Sequence, residues 1–568
     1  MNNKLNINDL LKQNKDDKDQ LAVITSKSNR IIVEAPAGYG KTHTMISMIK
    51  YWMLSGQIKN YKHILCMSFS TSAANKMKED IEKNINFSNS SYNSIQTVIS
   101  TNFHGFCRKI LKKYGYLVGL EGFDSLISVD AKQKKSLIPD ETDQRTVKDL
   151  ENKISKAELD KSSLIEKIER YNKIILDYFV PNNFISYTSI ITLTISLFKN
   201  YPEVRKFYAN YFYAVCVDEF QDTSILGLSL IQMIIGNKTR FVAFGDSMQQ
   251  IYGFLGAIPD LIKKEAKENK TEYICLEKNY RFADSENMLF LDQSFRAYCK
   301  NPKQNPNKNK AILRYIKGKD KGDEGNKIIK LIDEIKKSDP CATFAVLVSQ
   351  NQKNTQGLLE AISKKKKIFN ALFSNDDVNF IAFQDKAAEL FEQEFKSRPI
   401  TKYDIHNFVA KVTKKANPNV YEESFVSLLT AFLKKSTSLL KSSLRNDFIT
   451  ETLLSHSLKQ SIKDLKEPIF ISTIHGSKGL EWDYVIIANF EQNEFPNYYD
   501  IQNIGIDKNE DGIKELINKF YVAFTRAKKE TFVSYSNYHW ERYNYTKSKV
   551  SCLSTLPFIQ LKPYTLSD

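Results

Sequence analysis

The sequence predicts a multidomain α/β protein with parallel sheets and two helical insertions. A chain of 568 residues is too long for one hydrophobic core, since domains usually span about 100 to 200 residues. Several short β-branched runs end in a polar or glycine-containing loop and are followed by apolar residues at helical spacing. That order is typical of parallel α/β layers. Two stretches, residues 112–212 and 364–466, break the order and are rich in helix-period apolar positions, which predicts helical insertions.

Eight segments are predicted to be strands of these layers. The loops that follow them carry nearly all the motif residues, as expected where ligands bind beyond the carboxyl ends of strands. The predicted strands are Arg30–Val33, Ile64–Met67, Ala214–Val217, Phe241–Phe244, Thr343–Val348, Ile469–Ser472, Tyr484–Ile487 and Thr531–Tyr535.

Composition indicates a cytoplasmic protein with a polyanionic partner. The formal charge is +16 and the pI is near 9.1, which favours phosphate-bearing partners, although runs such as Lys364–Lys367 are also typical of a solvated surface. No apolar run reaches the ~18 residues of a membrane span, and the N-terminus lacks a secretory signal. The seven cysteines form no CxxC pair and no zinc-like cluster, so we expect reduced thiols.

A phosphate-binding loop is predicted at residues 35–42, with the sequence APAGYGKT. A strand precedes it and a helix-period segment follows it, which is the order such a loop requires. Small residues let backbone amides face a phosphate chain, Lys41 reaches the outer phosphates and Thr42 ligates magnesium. The predicted nucleotide-binding residues here are Ala35, Pro36, Ala37, Gly38, Tyr39, Gly40, Lys41, Thr42 and the adjacent His43.

The segment VDEFQDT, residues 217–223, is the second predicted part of the nucleotide site. An apolar strand that delivers Asp218 and Glu219 at its end suits ATP hydrolysis: Asp218 holds magnesium, and Glu219 orients and deprotonates the attacking water. The alternative is an acidic loop that caps a helix. The phosphate loop favours catalysis, because each part needs the other.

Arginine is scarce relative to lysine, so the positions of Arg281, in LEKNYRF, and Arg526, in YVAFTRAK, are informative. Guanidinium groups stabilise the charge that gathers on a γ-phosphate during transfer. Each arginine could instead form a structural ion pair.

In this order the motifs resemble those of the UvrD/Rep/PcrA helicases of superfamily 1, from about residue 20 to about residue 535. Gln20 occupies the position of an adenine-reading glutamine, and VDEFQDT is similar to motif II almost letter for letter. The other matching segments are SFSTSAANKM (68–77), TNFHGF (101–106), GDSMQQIYGFLGA (245–257), LEKNYRF (276–282), STIHGSKGLEWDYVII (472–487) and YVAFTRAK (521–528).

The resemblance implies specific roles in ATP binding and DNA binding. For ATP, Gln249 senses the γ-phosphate, Tyr280 stacks on adenine, Glu481 contacts the ribose, and Arg281 and Arg526 grip the γ-phosphate. For DNA, the family pattern implies base-stacking aromatics, which suit sequence-blind tracking, and polar groups near the strand's backbone. The aromatics are Phe69, Tyr252 and Phe254, which without the motifs would be read as core, and the polar groups are His104, Thr473 and His475.

The architecture that the resemblance implies is two RecA-like domains that face one another across an ATP cleft, each interrupted by a helical subdomain. The expected segments are residues 1–111 and 213–275 for the first RecA-like domain, with 112–212 as its insertion, and 276–363 and 467–568 for the second, with 364–466 as its reduced insertion. Phe254 replaces a usual tryptophan, and Leu255 replaces an arginine common in the family, which would weaken the coupling between hydrolysis and DNA grip.

The expected function is an ATP- and Mg²⁺-dependent DNA helicase or single-strand translocase of 3′→5′ polarity. Its expected partners are single-stranded DNA and single/double-strand junctions, and we expect no association with a membrane. Two alternatives stay open: a translocase that strips proteins from single strands, and an ATP-sensing or motor subunit of a nuclease-containing complex. Some antiphage systems, Gabija among them, pair a UvrD-like subunit with a nuclease, so a nuclease or another defence or repair protein is a further candidate partner.

Overall fold

A computed structural model describes most of the chain as two compact units, residues 1–280 and 281–568. The described residues are 7–59, 61–68, 77, 80–81, 97–132, 134–156, 161–253, 256–268, 270–301, 309–373, 377–413, 420–440, 442–454, 458–465, 468–504, 510–541 and 544–566.

The first unit is built on a six-stranded parallel sheet of order β3-β2-β6-β7-β1-β8. Side chains of β6 alternate between two hydrophobic clusters: Ala214 and Cys216 face one, and Val215 and Val217 face the other. Both faces are therefore covered, which explains why the strand reads as a continuous apolar run. The strands are β1 (Arg30–Glu34), β2 (His63–Ser68), β3 (Val98–Asn102), β6 (Phe212–Val217), β7 (Arg240–Gly245) and β8 (Glu272–Cys275).

Helices cover both faces of this sheet, and the first insertion extends one of the two clusters. The insertion is mostly helical, as expected, but it also contains a short parallel pair, β4 (Ile127–Val129) and β5 (Phe184–Ser186). The α-helices of the unit are Ile7–Gln13, Lys18–Thr25, Lys41–Leu54, Phe103–Tyr114, Glu141–Ser155, Lys161–Ile174, Tyr187–Asn200, Pro202–Tyr211, Ile225–Ile234 and Leu261–Ala266.

The second unit contains a seven-stranded parallel sheet of order β11-β12-β10-β13-β14-β9-β17 and an antiparallel hairpin. Its sheet strands are β9 (Ala311–Gly318), β10 (Phe344–Val348), β11 (Phe369–Asn370), β12 (Ile469–Thr473), β13 (Trp482–Ile487), β14 (Ala527–Ser536) and β17 (Ile559–Pro563). The hairpin consists of β15 (Tyr538–Glu541) and β16 (Asn544–Lys547).

The helices of the second unit include the predicted second insertion. That insertion is not wholly helical, because β11 lies within it and pairs with β12. The α-helices are Glu286–Lys300, Lys321–Ser338, Lys353–Ser363, Val378–Phe395, Ile405–Val412, Val420–Leu439, Ser442–Leu454, Tyr498–Ile504 and Glu510–Phe524.

All eight predicted strands are present, each within two residues of the predicted start except the last, whose strand β14 begins earlier, at Ala527. The fold class, α/β with parallel sheets, is confirmed. The six-segment domain division stays a prediction. Among the described residues, no helix combines the length and apolarity that crossing a membrane requires.

Candidate nucleotide site

The loop of residues 35–42 joins β1 to the helix Lys41–Leu54 at the carboxyl edge of the first sheet. The Ala35 amide donates to the Gly245 carbonyl at the end of β7, at 2.7 Å. Gly38 and Gly40 have φ values of 84° and 79°, a left-handed conformation that favours glycine. The loop therefore turns sharply and then delivers Lys41 at the first position of a helix, where backbone amides and the helix dipole favour an anion.

Lys41 lies between the two carboxylates that follow β6. Its Nζ is 3.1 Å from Asp218 Oδ1 and also forms an ion pair with Glu219 Oε1. Burial alone would lower the pKa of Lys41, but the charges of Asp218 and Glu219 outweigh it and raise that pKa above its ordinary value. Burial raises the pKa of Asp218, although the charge of Lys41 opposes the shift. The structure thus brings the predicted loop lysine and both predicted catalytic acids together.

The backbone holds this acidic pair firmly. The Asp218 amide donates to the Met67 carbonyl at the end of β2, at 2.8 Å. Glu219 has a φ of 52°, a left-handed conformation that is uncommon for a residue other than glycine, and its amide donates to Asp218 Oδ1 at 3.0 Å. Such local strain, held in place by the surrounding contacts, is often found at functional positions.

Two residues that the sequence analysis did not single out connect this pair to Gln249. Gln221 donates through Nε2 to Glu219 Oε2 at 2.6 Å and accepts through Oε1 from the Asp246 amide at 3.1 Å. Asp246 Oδ2 accepts from the Ala37 amide at 3.2 Å and from Gln249 Nε2 at 2.9 Å. Asp246 is fully buried and Gln249 nearly so. Phosphate loop, acidic pair and Gln249 are therefore joined by one hydrogen-bond network.

The predicted adenine side of the site surrounds Gly40. A Cβ atom built at Gly40 would lie 2.5 Å from Gln20 Nε2 and 3.6 Å from Tyr280 Cε2, so both side chains approach this glycine closely. Gln20 is 2% exposed, and its Nε2 has no hydrogen-bond partner among the described residues. The Tyr280 amide donates to the Gly38 carbonyl at 2.8 Å, and the Tyr280 hydroxyl donates to Asp17 Oδ2 at 2.7 Å.

Asp17 and Asn14 hold residues around Gly40 in place through hydrogen bonds, and the sequence does not single them out. Asp17 Oδ1 caps the helix Lys18–Thr25 and accepts from the Gln20 amide at 2.9 Å. His43 Nε2 is hydrogen-bonded to Asn14 Oδ1 at 2.9 Å, and burial lowers its pKa. Tyr280 remains 45% exposed, which leaves ring surface available for stacking.

The predicted DNA-contacting residues of the first unit are only partly described. Phe69 and Phe254, like Leu255, lie outside the described residues. His104 packs edge-on against Tyr187 at 6.3 Å, and burial lowers its pKa to about 4. Tyr252 is partly buried, three residues after Gln249.

In the second unit the structure brings Arg281, Glu481 and Arg526 together around Thr525. Arg281 forms an ion pair with Glu481 and donates to the Thr525 carbonyl. Arg526 is 3% exposed, and its guanidinium donates to the Val522 carbonyl at 3.0 Å and to Thr525 Oγ1 at 3.2 Å. The predicted γ-phosphate arginines are thus held by their own unit in this structure.

Thr473 and His475 lie where β12 ends. Thr473 Oγ1 accepts from the Gly476 amide at 3.0 Å, and His475 begins the short turn His475–Ser477. Their predicted contact with a strand's backbone stays a prediction.

Residues 16–270, which contain the whole network around Lys41, match the family described as UvrD/REP helicase N-terminal domain. The chain is similar to the UvrD/Rep/PcrA helicases. It is 22% identical over 626 aligned positions to the "ATP-dependent DNA helicase PcrA" of Staphylococcus aureus strain MRSA252, an alignment that covers 91% of this chain and 83% of that protein. It is 27% identical over 327 positions to the "Probable DNA helicase II homolog" of Mycoplasma capricolum, covering 53% of this chain and 44% of that protein.

The comparisons confirm the resemblance drawn from the motifs, and they are consistent with RecA-like domains. A solved chain of S. cerevisiae Dbp5 also aligns over 99% of this chain, at 11% identity and a TM-score of 0.38, which adds nothing to the fold assignment.

Proposed function

We propose that the protein is an ATP-dependent DNA helicase that moves along a single strand in the 3′→5′ direction. The observation that carries the proposal is the network that joins Lys41, the acidic pair and Gln249 within one unit. A nucleotide bound at this loop would touch the catalytic acids and the γ-phosphate sensor at once. The S. aureus relative is named an ATP-dependent DNA helicase and aligns with nearly the whole chain, which supports the same substrate class.

Nucleotide recognition is assigned to the group around Gly40. The Gln20 amide nitrogen is buried and unpartnered among the described residues, and an unsatisfied buried donor costs about 1 to 3 kcal/mol. An acceptor on the adenine ring would remove that cost. The exposed ring of Tyr280 lies beside the same glycine and would stack on the base.

Magnesium is expected to enter together with the nucleotide. It usually keeps waters and phosphate oxygens as ligands and takes only one or two protein oxygens, which fits the Asp218 carboxylate and the Thr42 hydroxyl. The ion would neutralise charge on the β- and γ-phosphates. Lys41, which now neutralises the acidic pair, would turn to the phosphates, and this would release Glu219 to orient and deprotonate water.

Coupling to the strand is assigned to the segment from Asp246 to Tyr252. Gln249 is hydrogen-bonded to Asp246, and the Gln250 side chain donates to the carbonyls of Gln221 and Ile258, at 3.0 and 2.7 Å. Tyr252 is only three residues after Gln249 in this short segment. A shift of Gln249 toward a γ-phosphate would therefore displace Tyr252 as well. Stacking of a base on Tyr252 would convert that shift into a change of grip.

Arg281 and Arg526 are proposed as γ-phosphate contacts that act only in the nucleotide-bound state. Arg281 would then break its ion pair with Glu481 and pair with the phosphate instead. This would free the Glu481 carboxylate to accept hydrogen bonds from the ribose hydroxyls. Arg526 must exchange backbone carbonyls for phosphate. A nuclease partner stays a prediction that copurification would test.

The deciding experiment measures ATP hydrolysis with and without single-stranded DNA, in parallel with unwinding of forked duplexes that carry either a 3′ or a 5′ tail. Strong stimulation with unwinding from the 3′ tail is expected. Stimulation without unwinding would favour the translocase that strips proteins from strands. No stimulation in the intact chain would refute the motor.

A further inference from the structure

A second group of aromatic and basic side chains lies at the edge of the first sheet opposite the phosphate loop. Strands β2 and β6 are parallel, and their first residues, His63 and Phe212, are register partners. The phosphate loop and Asp218 follow the carboxyl ends of β1 and β6 instead. Because the sheet is parallel, one strand length separates the two edges, roughly 17 Å at about 3.3 Å per residue. The group is therefore distinct from the nucleotide site.

Three rings of this group form a continuous stack. Phe207 and Tyr211 are four residues apart on the helix Pro202–Tyr211, and their ring centroids are 5.6 Å apart with an interplanar angle of 22°. Tyr211 in turn stacks on His63 at 4.1 Å and 14°. Phe207, the outer ring of the stack, is 49% exposed. Tyr61, two residues before His63 in the sequence, is 64% exposed. These aromatic faces contribute area to the surface that core packing does not use.

Ammonium groups lie beside the exposed rings. Lys113 Nζ is 5.9 Å from the Phe207 ring centroid, and Lys59 Nζ is 5.9 Å from the Tyr61 centroid. Lys206 is exposed on the same helix as Phe207, where Glu203 is the one acidic residue. The helix Phe103–Tyr114, which supplies Lys113, contains no acidic residue. We call Lys59, Tyr61, Lys113, Lys206, Phe207 and Tyr211 the basic aromatic surface.

We propose that the basic aromatic surface binds single-stranded nucleic acid, at a place separate from the track that the motor follows. Exposed rings offer stacking faces to bases, and ammonium groups beside them offer contacts to the phosphates of the same strand. A protein partner would make use of the rings but not of a surplus of cations. The proposal goes beyond the motor function and does not require ATP.

A second contact on one strand has a measurable consequence. A strand long enough to reach both places binds more tightly than a short one, because the second contact becomes intramolecular. A short strand of about 10 nucleotides occupies one place at a time, whereas one of about 40 nucleotides reaches both. The difference in affinity between the two lengths therefore reports on the basic aromatic surface.

The experiment measures binding of oligothymidylates of both lengths by fluorescence anisotropy over a salt range, for the intact chain and for Phe207→Ala and Lys113→Ala. Each variant is expected to weaken binding of the long strand about 5-fold or more. Lys113→Ala should also reduce the slope of log affinity against log salt by about 0.7. Phe207→Tyr keeps a stacking ring and should keep the affinity. Stimulation of ATP hydrolysis by the short strand, which reports on the track, should not change.

Tyr403→Ala is the matched control, because Tyr403 is 79% exposed and Lys402 Nζ lies 5.0 Å from its ring, in the other unit. Loss of affinity in this control equal to that in Phe207→Ala would overturn the proposal. The proposal would also be overturned if Phe207→Ala and Lys113→Ala both keep the wild-type unfolding temperature and both bind the long strand with unchanged affinity. A change in self-association, seen by sedimentation, without a change in strand binding would identify a protein interface instead. If no strand stimulates ATP hydrolysis, the proposed motor function is refuted. The measured effect of the variants on strand binding would still test the basic aromatic surface.

Discussion

Removing the Lys41 ammonium should destabilise the nucleotide-free protein as well as abolish ATP binding. Lys41 is the cation that touches both Asp218 and Glu219, and the side chains of Lys41 and Asp218 are only 15% and 12% exposed. Breaking a buried pair by removing one partner costs about 3 to 5 kcal/mol, and the residual exposure here reduces this to about 2 to 3 kcal/mol. For a unit of this size, that corresponds to an unfolding temperature lower by about 5 °C.

The loss should depend on pH in a defined direction. Burial raises the pKa of Asp218 in the folded state, and Lys41 opposes that shift. In Lys41→Met the pKa of Asp218 rises further, so the cost is largest when pH is above it and falls as the carboxyl becomes protonated at lower pH. Calorimetry of the nucleotide-free protein at about pH 7.5 and about pH 5.5 measures this.

The control is Lys41→Met combined with Asp218→Asn, which removes one of the two charges left unpaired, that of Asp218, without changing the size of the side chain, and leaves the charge of Glu219. The double variant should recover part of the lost stability while still failing to bind ATP. If Lys41→Met unfolds at the wild-type temperature at both pH values, or if Asp218→Asn restores nothing, then Lys41 does not neutralise the acidic pair as the structure indicates.

Three further outcomes are expected. Glu219→Gln should bind ATP normally but lower DNA-stimulated phosphate release by about 10²-fold or more, because the general base is lost; substantial turnover would remove Glu219 from that role. Gln20→Ala should weaken ATP binding about 10-fold and GTP binding, measured by competition, much less, because only adenine offers both an acceptor, N7, and a donor, the 6-amino group, to a side-chain amide; equal losses for both nucleotides would contradict adenine recognition. His104 should stay neutral from about pH 6 to about pH 8, because burial lowers its pKa to about 4; a pH-dependent affinity for DNA that disappears in His104→Gln would contradict this.

The strands that carry motifs were predictable because their covered faces require continuous β-branched runs bounded by polar loops. Strands without that pattern were missed. The edge strand β8 (Glu272–Cys275) is exposed at its first two residues, and β11 (Phe369–Asn370) has only two residues, too few for any periodicity. The second insertion is therefore predicted to be helical, although its strand β11 pairs with β12 of the sheet.

The residues of the nucleotide site divide in the same way. Lys41, Asp218 and Glu219 were predictable because their chemistry requires particular residue types at particular strand ends. Gln221 and Asp246 were not, although both lie inside recognised motifs. Their importance comes from hydrogen bonds to segments that are far apart in the sequence, which only the folded chain shows.

Asp246 links the phosphate loop to the segment of Gln249 through hydrogen bonds. One of its carboxylate oxygens accepts from the Ala37 amide in the loop and from the Gln249 side chain, and its other oxygen accepts from the Met248 amide at 3.1 Å. A nucleotide that reoriented Gln249 would have to break the bond to Asp246. The cost of that exchange, about 1.5 to 3 kcal/mol for a hydrogen bond to a charged group, must be met by the γ-phosphate. ADP lacks that phosphate, so the same bond would re-form after hydrolysis and return the segment that carries Tyr252 to its starting position.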